Sequence, residues 1–327
     1  MMEKAKPVVT VLGAPDEPQP PGIELLDGHV EVRSACDEAS LRETLPGTQI
    51  LLVTDFRTEA LRAAWPSADS LQWVHATSAG VDALLIPELV DSDIPVTNAQ
   101  GIFDKSIAEY VLGAILIFAK DFHGSLAYQR NHQWKHRDTE RALGKRVLVV
   151  GAGSIGREIA KLTSAIGMEV YGVARRARRD DPDFKEVFAS EYLHEQLGLA
   201  DYVVLSMPLT PATEGMFGPE EFAAMKPEGR FINIARGAIV QTQALVEALE
   251  KGRIAGAALD VFEQEPLPAE HRLWDFDNVI MTAHMAGDFI GWRVALIEQF
   301  MANLAHWQKG EKLFNQVDKK LGYVVQG

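Results

Sequence analysis

The run at 146–179, RVLVVGAGSIGREIAKLTSAIGMEVYGVARRARR, restricts what this chain can fold into more than any other stretch. Four apolar residues at 147–150 read as a buried strand and pass directly into GAGSIG at 151–156. Apolar residues then recur with helical spacing at Ile155, Ile159, Leu162 and Ile166, until Gly167 stops the helix and 168–173 reads as a second strand. A glycine-rich turn alone is common. Placed after a strand, opening a helix and inside a βαβ unit of about 30 residues, it is the turn that receives a dinucleotide pyrophosphate. Gly151 is expected to make the tight turn, Gly153 to let the pyrophosphate approach the backbone, and Gly156 to let helix and strand pack closely. The helix N-terminus adds free N–H groups and partial positive charge.

Such a unit needs a sheet around it. Buried strands are expected at 7–12, 49–53, 71–75 and 94–97, and beyond the turn at 202–206, 230–234, 256–259 and 278–282. Helices are expected at 58–65, 106–120, 243–251 and 291–307, with a polar segment at 123–143 that carries a further helical stretch and Trp134. Strands alternating with helices make open parallel α/β sheets, and 327 residues leave room for roughly two domains. The formal charge of −14 argues against nucleic acid or an anionic membrane surface as partner, so an anionic ligand requires a local positive cluster. Cys36 is the single cysteine and fits a reducing, cytoplasmic compartment. The N-terminal MMEKAKPVVTVLG lacks the apolar core of a secretion signal, and the longest apolar run, around 110–119, is too short to span a bilayer. No metal site is expected.

Three polar residues stand just past three successive strands: Arg236 in FINIARG, Glu265 in LDVFEQEP and His284 in VIMTAHMAG. Hydride exchange between a nicotinamide and a hydroxy or keto acid needs a cation for the carboxylate. It also needs a group that moves a proton at the reacting oxygen, and an acid that orients that group. Singly, the three residues read better as a turn arginine, a loop acid and a polar strand end. On consecutive strand ends of one sheet they make a site.

The end of the second strand bears on the choice of dinucleotide. An acidic residue there accepts hydrogen bonds from the ribose 2′-hydroxyl of NAD. Here the position is Ala174, followed by Arg175, Arg176, Arg178 and Arg179. In an acidic chain this is the positive cluster that a 2′-phosphate requires. The alternative is a solvated loop balanced by Asp180 and Asp181. NADP(H) is the expected cofactor, with NAD(H) admissible.

Eight blocks stand in one order: SAGVD at 78–82, NAQG at 98–101, IAE at 107–109, GAGSIG, SMPLTPAT at 206–213, NIARG at 233–237, ALDVFEQEP at 258–266 and TAHMAG at 282–287. Through them the chain resembles the D-isomer-specific 2-hydroxyacid dehydrogenases over nearly its whole length, in a glyoxylate/hydroxypyruvate reductase-like, NADP-preferring form. The resemblance implies a Rossmann-type dinucleotide-binding domain at 102–289 and a smaller, flavodoxin-like α/β substrate domain, discontinuous in sequence, at 1–101 and 290–327. It implies closure over the substrate. It further implies that Arg236 forks to the substrate carboxylate and carbonyl, that His284 exchanges the proton at the C2 oxygen, and that Glu265 is the partner carboxylate favouring imidazolium.

By the same resemblance, Ser78, Ala79 and Gly80 belong to a loop that donates N–H bonds to the substrate carboxylate. Asp260 corresponds to a nicotinamide-carboxamide contact. Gly151, Gly153, Ser154, Ile155, Gly156, Arg175, Arg176, Pro208, Thr213, Ala235, His284 and Gly287 complete the cofactor side. The chain departs from the family at Ala283, where proline is usual, and at Trp292 and Arg293, which read either as pocket-shaping residues or as the start of the last helix. The implied activity is reduction of a small 2-keto acid such as glyoxylate or hydroxypyruvate, in a homodimer whose Trp134 segment acts across the subunits. A nucleotide-sensing, corepressor-like interaction protein on the same fold is the alternative, although no extended disordered tail is evident. Glutamate rather than glutamine at 265 argues against formate as substrate.

Overall fold

In the computed structural model, which describes residues 6–55 and 58–325, the named strands among those residues all pair in parallel. The chain divides into two compact units, Met1–Ile102 with Phe289–Gly327, and Phe103–Asp288. Residues 1–5 of the N-terminal stretch lie outside the described residues.

The first unit holds β1 (Val8–Leu12), β2 (Glu31–Ala35), β3 (Ile50–Val53), β4 (Trp73–Ala76) and β5 (Val96–Thr97) in the order β2-β1-β3-β4-β5, the flavodoxin order. Its helices are α1 (Glu38–Thr44), α2 (Glu59–Ala64), α3 (Pro87–Val90) and the long helix Trp292–Lys309. Strands β3 and β4 are buried at every position because helices cover both faces. Ile297, Phe300 and Leu304 of the long helix pack on one face with Val9, Ile50, Leu52 and Trp73. Leu41, Leu61 and Leu89 pack on the other with Leu51, Val53 and Val74. Strand β2 and helix α1 have no counterpart in the expected elements. EVRSA lies at the sheet edge and buries only Ala35, so it carries no apolar run to read. Helix α1 starts where the Asp37 carboxylate accepts the Ser40 N–H at 2.8 Å.

The second unit is built on β6 (Arg146–Val150), β7 (Glu169–Ala174), β8 (Val187–Ala189), β9 (Tyr202–Leu205), β10 (Arg230–Asn233), β11 (Gly256–Leu259) and β12 (Val279–Met281). The order β12-β11-β10-β9-β6-β7-β8 grows in both directions from β6, which is the doubly wound Rossmann pattern. The strand order reverses between β6 and β9, the place where such sheets bind ligands outside their carboxyl ends. Helices α4 (Asp104–Ala119), α5 (Phe122–Arg130), α6 (Ser154–Ala165), α7 (Leu193–Leu197), α8 (Pro219–Ala224) and α9 (Thr242–Glu250) belong to this unit. The apolar stripe Ile107, Val111, Ile115 and Phe118 of α4 packs with Ile159 and Ala160 of α6, and both sit on Val147 and Val149. Among the described residues no single helix is long and apolar enough to cross a membrane.

Candidate active site

Residues past β10, β11 and β12 converge. His284 Nδ1 lies 2.7 Å from Glu265 Oε2, and the other Glu265 oxygen accepts the Phe262 N–H at 2.8 Å. Burial pushes the Glu265 carboxyl up. The His284 hydrogen bond, the Phe262 N–H and the positive charges of His284 and Arg236 outweigh that and hold it below the usual carboxylate range. Glu265 therefore stays an acceptor at neutral pH, and the imidazole presents Nε2 outward from the pair. Both side chains remain about one-third exposed, at 36% and 29%, which leaves the imidazole accessible to a small molecule.

Backbone constraints place each member. Buried Asn233 spans the turn after β10: its Oδ1 accepts the Ala235 N–H at 3.0 Å and its Nδ2 donates to the Arg236 carbonyl at 3.2 Å. Arg236 itself is extended and donates from Nη1 to the Ala235 carbonyl at 2.8 Å. Only glycine fits at 237, where a Cβ would stand 1.8 Å from the Phe262 carbonyl carbon. That close approach locks the turn bearing Arg236 against the segment leading to Glu265. His284 takes the left-handed conformation, φ 51°, held by its N–H on the Asp260 carbonyl at 2.8 Å.

Asp260 does more than the sequence implies. It is 2% exposed. Its Oδ1 accepts from Thr282 Oγ1 at 2.6 Å and from the Met285 N–H at 2.9 Å, and its Oδ2 accepts from the Ala286 N–H at 2.9 Å. The carboxylate thus staples both sides of His284. Behind it, Tyr110 Oη stands 2.8 Å from Thr282 Oγ1. Sequence reasoning missed Tyr110 because it sits beside the apolar stripe of α4, where an aromatic residue reads as packing.

The glycine turn has the shape expected of it. Gly151, at φ 111°, faces the β9 end so closely that a Cβ would meet the Met207 nitrogen at 2.5 Å. A Cβ at Gly156 would meet the Gly151 carbonyl oxygen at 2.1 Å. At Gly153, by contrast, a Cβ would meet nothing within 4 Å, so protein packing does not explain that glycine. The first intrahelical bond of α6 runs from the Arg157 N–H to the Gly153 carbonyl at 2.9 Å, so the N–H groups of Ser154, Ile155 and Gly156 precede it.

Other expected cofactor residues have visible structural work. Thr213 Oγ1 donates to the Pro208 carbonyl at 2.8 Å and accepts the Thr210 N–H at 2.8 Å, shaping the turn after β9. Gly287 packs on Phe103, whose ring a Cβ would meet at 2.9 Å. Ala235 is buried, and Arg175 and Arg176 are exposed.

In the first unit, the loop after β4 is tied by Ser78 Oγ to the Gly80 carbonyl at 2.6 Å and by Asn98 Nδ2 to the Ala79 carbonyl at 2.6 Å. Arg293 lies over the Trp292 ring, 5.0 Å from its centroid, and 3.6 Å from Glu17. Those contacts give both residues a role at the start of the long helix.

Residues 112–286 match the family model described as D-isomer specific 2-hydroxyacid dehydrogenase, NAD binding domain. A glyoxylate reductase of Thermococcus gammatolerans is 30% identical over 315 residues, covering 92% of this chain and 93% of that protein. The NADPH-dependent glyoxylate/hydroxypyruvate reductase of Sinorhizobium meliloti, solved in complex with NADP and sulfate, is 28% identical with a TM-score of 0.84, over 97% of this chain and 100% of that one. A protein of Xanthobacter autotrophicus solved with NADPH and MES is 31% identical with a TM-score of 0.81, over 98% and 100%.

Proposed function

The chain belongs to the D-isomer-specific 2-hydroxyacid dehydrogenase family, oxidoreductases acting on CH–OH donors with NAD or NADP, and on that premise we propose that it reduces a small 2-keto acid with NADPH. The observation that carries the reading is the 2.7 Å bond between His284 and Glu265, with the Arg236 charge acting on the same carboxylate. When bound, the reduced nicotinamide supplies a hydride to the substrate C2. Arg236 holds the carboxylate, and His284 delivers the proton from Nε2 to the carbonyl oxygen, giving the hydroxy acid. Glu265 keeps Nδ1–H engaged so that the imidazolium forms beside a compensating charge. Glyoxylate and hydroxypyruvate are the substrates this reading favours, because the relatives named for them span this chain almost end to end. The domain at 102–289 is assigned to the dinucleotide and that at 1–101 with 290–327 to substrate; Ser78, Ala79 and Gly80 join the substrate side on the family resemblance, and Trp292 joins it as a pocket-shaping departure from that resemblance.

Support for NADPH is local. Gly153 opens the turn, and the strand β7 ends at Ala174 with no carboxylate for a ribose 2′-hydroxyl. Exposed Arg175 and Arg176 follow directly, and three of the solved neighbours hold NADP or NADPH. We propose a homodimer as the working form, since Phe122, Leu126, Trp134 and Leu143 lie exposed on one segment of the second unit, Trp134 at 99%. A cytoplasmic location fits the exposed free thiol of Cys36. Nucleic acid and membrane are not proposed as partners of a chain with charge −14.

The test is kcat/KM for a panel of 2-keto acids with NADPH and NADH, in the native chain and in His284→Gln. The proposal expects glyoxylate or hydroxypyruvate reduction with NADPH favoured, and a loss of about 10²–10⁴-fold in the variant. An NADH preference overturns the cofactor reading, and undiminished activity in His284→Gln overturns the proton role.

A further inference from the structure

Four of the five residues after Ala174 are arginines, which repel one another, and the structure shows what holds them. Arg178 Nη2 donates to the Ala152 carbonyl of the glycine turn at 2.7 Å, and its Nε lies 3.5 Å from Asp181 Oδ2. The Asp181 side chain is only 2% exposed. Arg157 of α6 grips it as a fork, Nη1 to Oδ1 at 2.9 Å and Nη2 to Oδ2 at 2.8 Å, and also reaches Asp183 Oδ2 at 2.7 Å. The Asp183 N–H closes back on Asp181 Oδ1 at 3.1 Å. Arg178 and Val187 exchange backbone bonds at 2.9 and 3.4 Å, shutting the 178–187 loop.

Arg157 lies in the first turn of α6, where a cation opposes the helix dipole. Two aspartates offset it there. Asp181 also lies beside Arg178, and Arg175, Arg176 and Arg179 stand exposed on the same loop. Because β7 pairs with β6 through Val173 and Val150, and the Gly151 N–H bonds the Val173 carbonyl at 2.9 Å, Arg175 and Arg176 leave the sheet beside the glycine turn. A loop fixed in that place loses less conformational entropy when it meets an anion than a free one does.

We propose that Arg157, Asp181 and Asp183 form a clamp, tied to the glycine turn through Arg178, that positions Arg175 and Arg176 for the 2′-phosphate of NADPH. These four are positioning residues, and the inference rests on the NADPH reading above. The test compares Asp181→Asn, Arg157→Met and Arg157→Lys with Arg175→Ala/Arg176→Ala. It reads KM for NADPH and NADH, and calorimetric binding of 2′,5′-ADP against 5′-AMP. Lysine keeps the charge at 157 but not the fork. The expected result is a rise of about tenfold in the NADPH-to-NADH ratio of KM in the clamp variants, about 1.4 kcal/mol of selectivity. Binding of 2′,5′-ADP should weaken in parallel and that of 5′-AMP much less. Equal losses with both cofactors, or an unchanged ratio, overturn the clamp. If the arginine pair variant loses NADPH preference while the clamp variants keep it, the cofactor reading stands and the clamp alone fails. If the native chain prefers NADH, both fail.

Discussion

Two threonines occupy equivalent posts in the two units, and their surroundings end differently. In the second unit Thr282 bridges a tyrosine to a carboxylate: Tyr110 on one side at 2.8 Å, Asp260 on the other at 2.6 Å. In the first unit Thr97 bridges a tryptophan to a histidine: Trp73 Nε1 donates to it at 2.8 Å, and His75 Nδ1 lies 2.7 Å away. The Thr97 hydroxyl has one proton and two acceptor sites, so it takes the Trp73 N–H and still has a site for His75 Nδ1. There the similarity stops. Asp260 collects three donors and turns them into the conformation of residues 284–286. His75 Nε2 is buried with no hydrogen-bond partner among the described residues, and its ring packs on Trp73 and Phe300. A closed polar network in a core fixes a loop. An open one gives up its charge.

The comparison breaks most visibly at Asp260. Asp260→Ala strands the N–H groups of Met285 and Ala286 and the Thr282 hydroxyl, at about 1–3 kcal/mol for each buried group left unpaired. The expected outcome is a fall in kcat/KM of about 100-fold or more together with a lower urea midpoint. Activity within about threefold of native would show that the carboxylate does not hold His284.

How much of this was legible beforehand follows from what each feature needs. Buried parallel strands are apolar runs, so the core of both sheets and the GAGSIG turn could be read residue by residue. The strand-end residues Arg236, Glu265 and His284 could be read because a parallel sheet brings its carboxyl ends to one edge. Edge strand β2 was hidden, since an edge can be mostly exposed, and so was β8, only three residues long. The clamp on Asp181 was hidden for another reason. Its partner lies 24 residues back on α6, and nothing local distinguishes a gripped aspartate from a solvated one. In the sequence, Asp181 reads as a counter-charge to its neighbours; in the structure it is nearly inaccessible.

The next effect belongs to the open network. Burial pushes His75 down to about 3, so the folded chain keeps it neutral where the unfolded chain binds a proton. Stability from this group is therefore full above about pH 6.5 and is lost as pH falls toward 3. Between about pH 6.5 and 5 the loss is on the order of 2 kcal/mol. Urea titrations at the two values should show it, and His75→Phe should flatten the dependence even where its stability at neutral pH is lower. An equal acid loss in the variant would place the titration elsewhere. Glu265 adds a smaller slope of the same sign at lower pH, since its depressed carboxyl stabilises the fold above the ordinary carboxylate range and loses that contribution as pH falls through its folded value.

The smallest effect is the most discriminating. Burial first, and the Asp260 charge with it, push the Tyr110 hydroxyl up to about 12 against the opposing Thr282 bond, so it keeps its proton. Thr282 gives its single proton to Asp260, and Tyr110 must therefore donate to Thr282, making a chain of bonds that all point toward the carboxylate. Tyr110→Phe removes only the terminal donor, and the expected cost is about 1 kcal/mol in stability and a few-fold in kcat with KM little changed. Thr282→Val removes the middle of the chain and leaves the tyrosine hydroxyl buried without its acceptor, so it should cost more. If the chain acts as one unit, the double variant should cost less than the two single costs added together, by an interaction energy of at least about 0.5 kcal/mol. Strict additivity would mean that Tyr110 merely fills space behind Thr282, and that the support of His284 ends at Asp260.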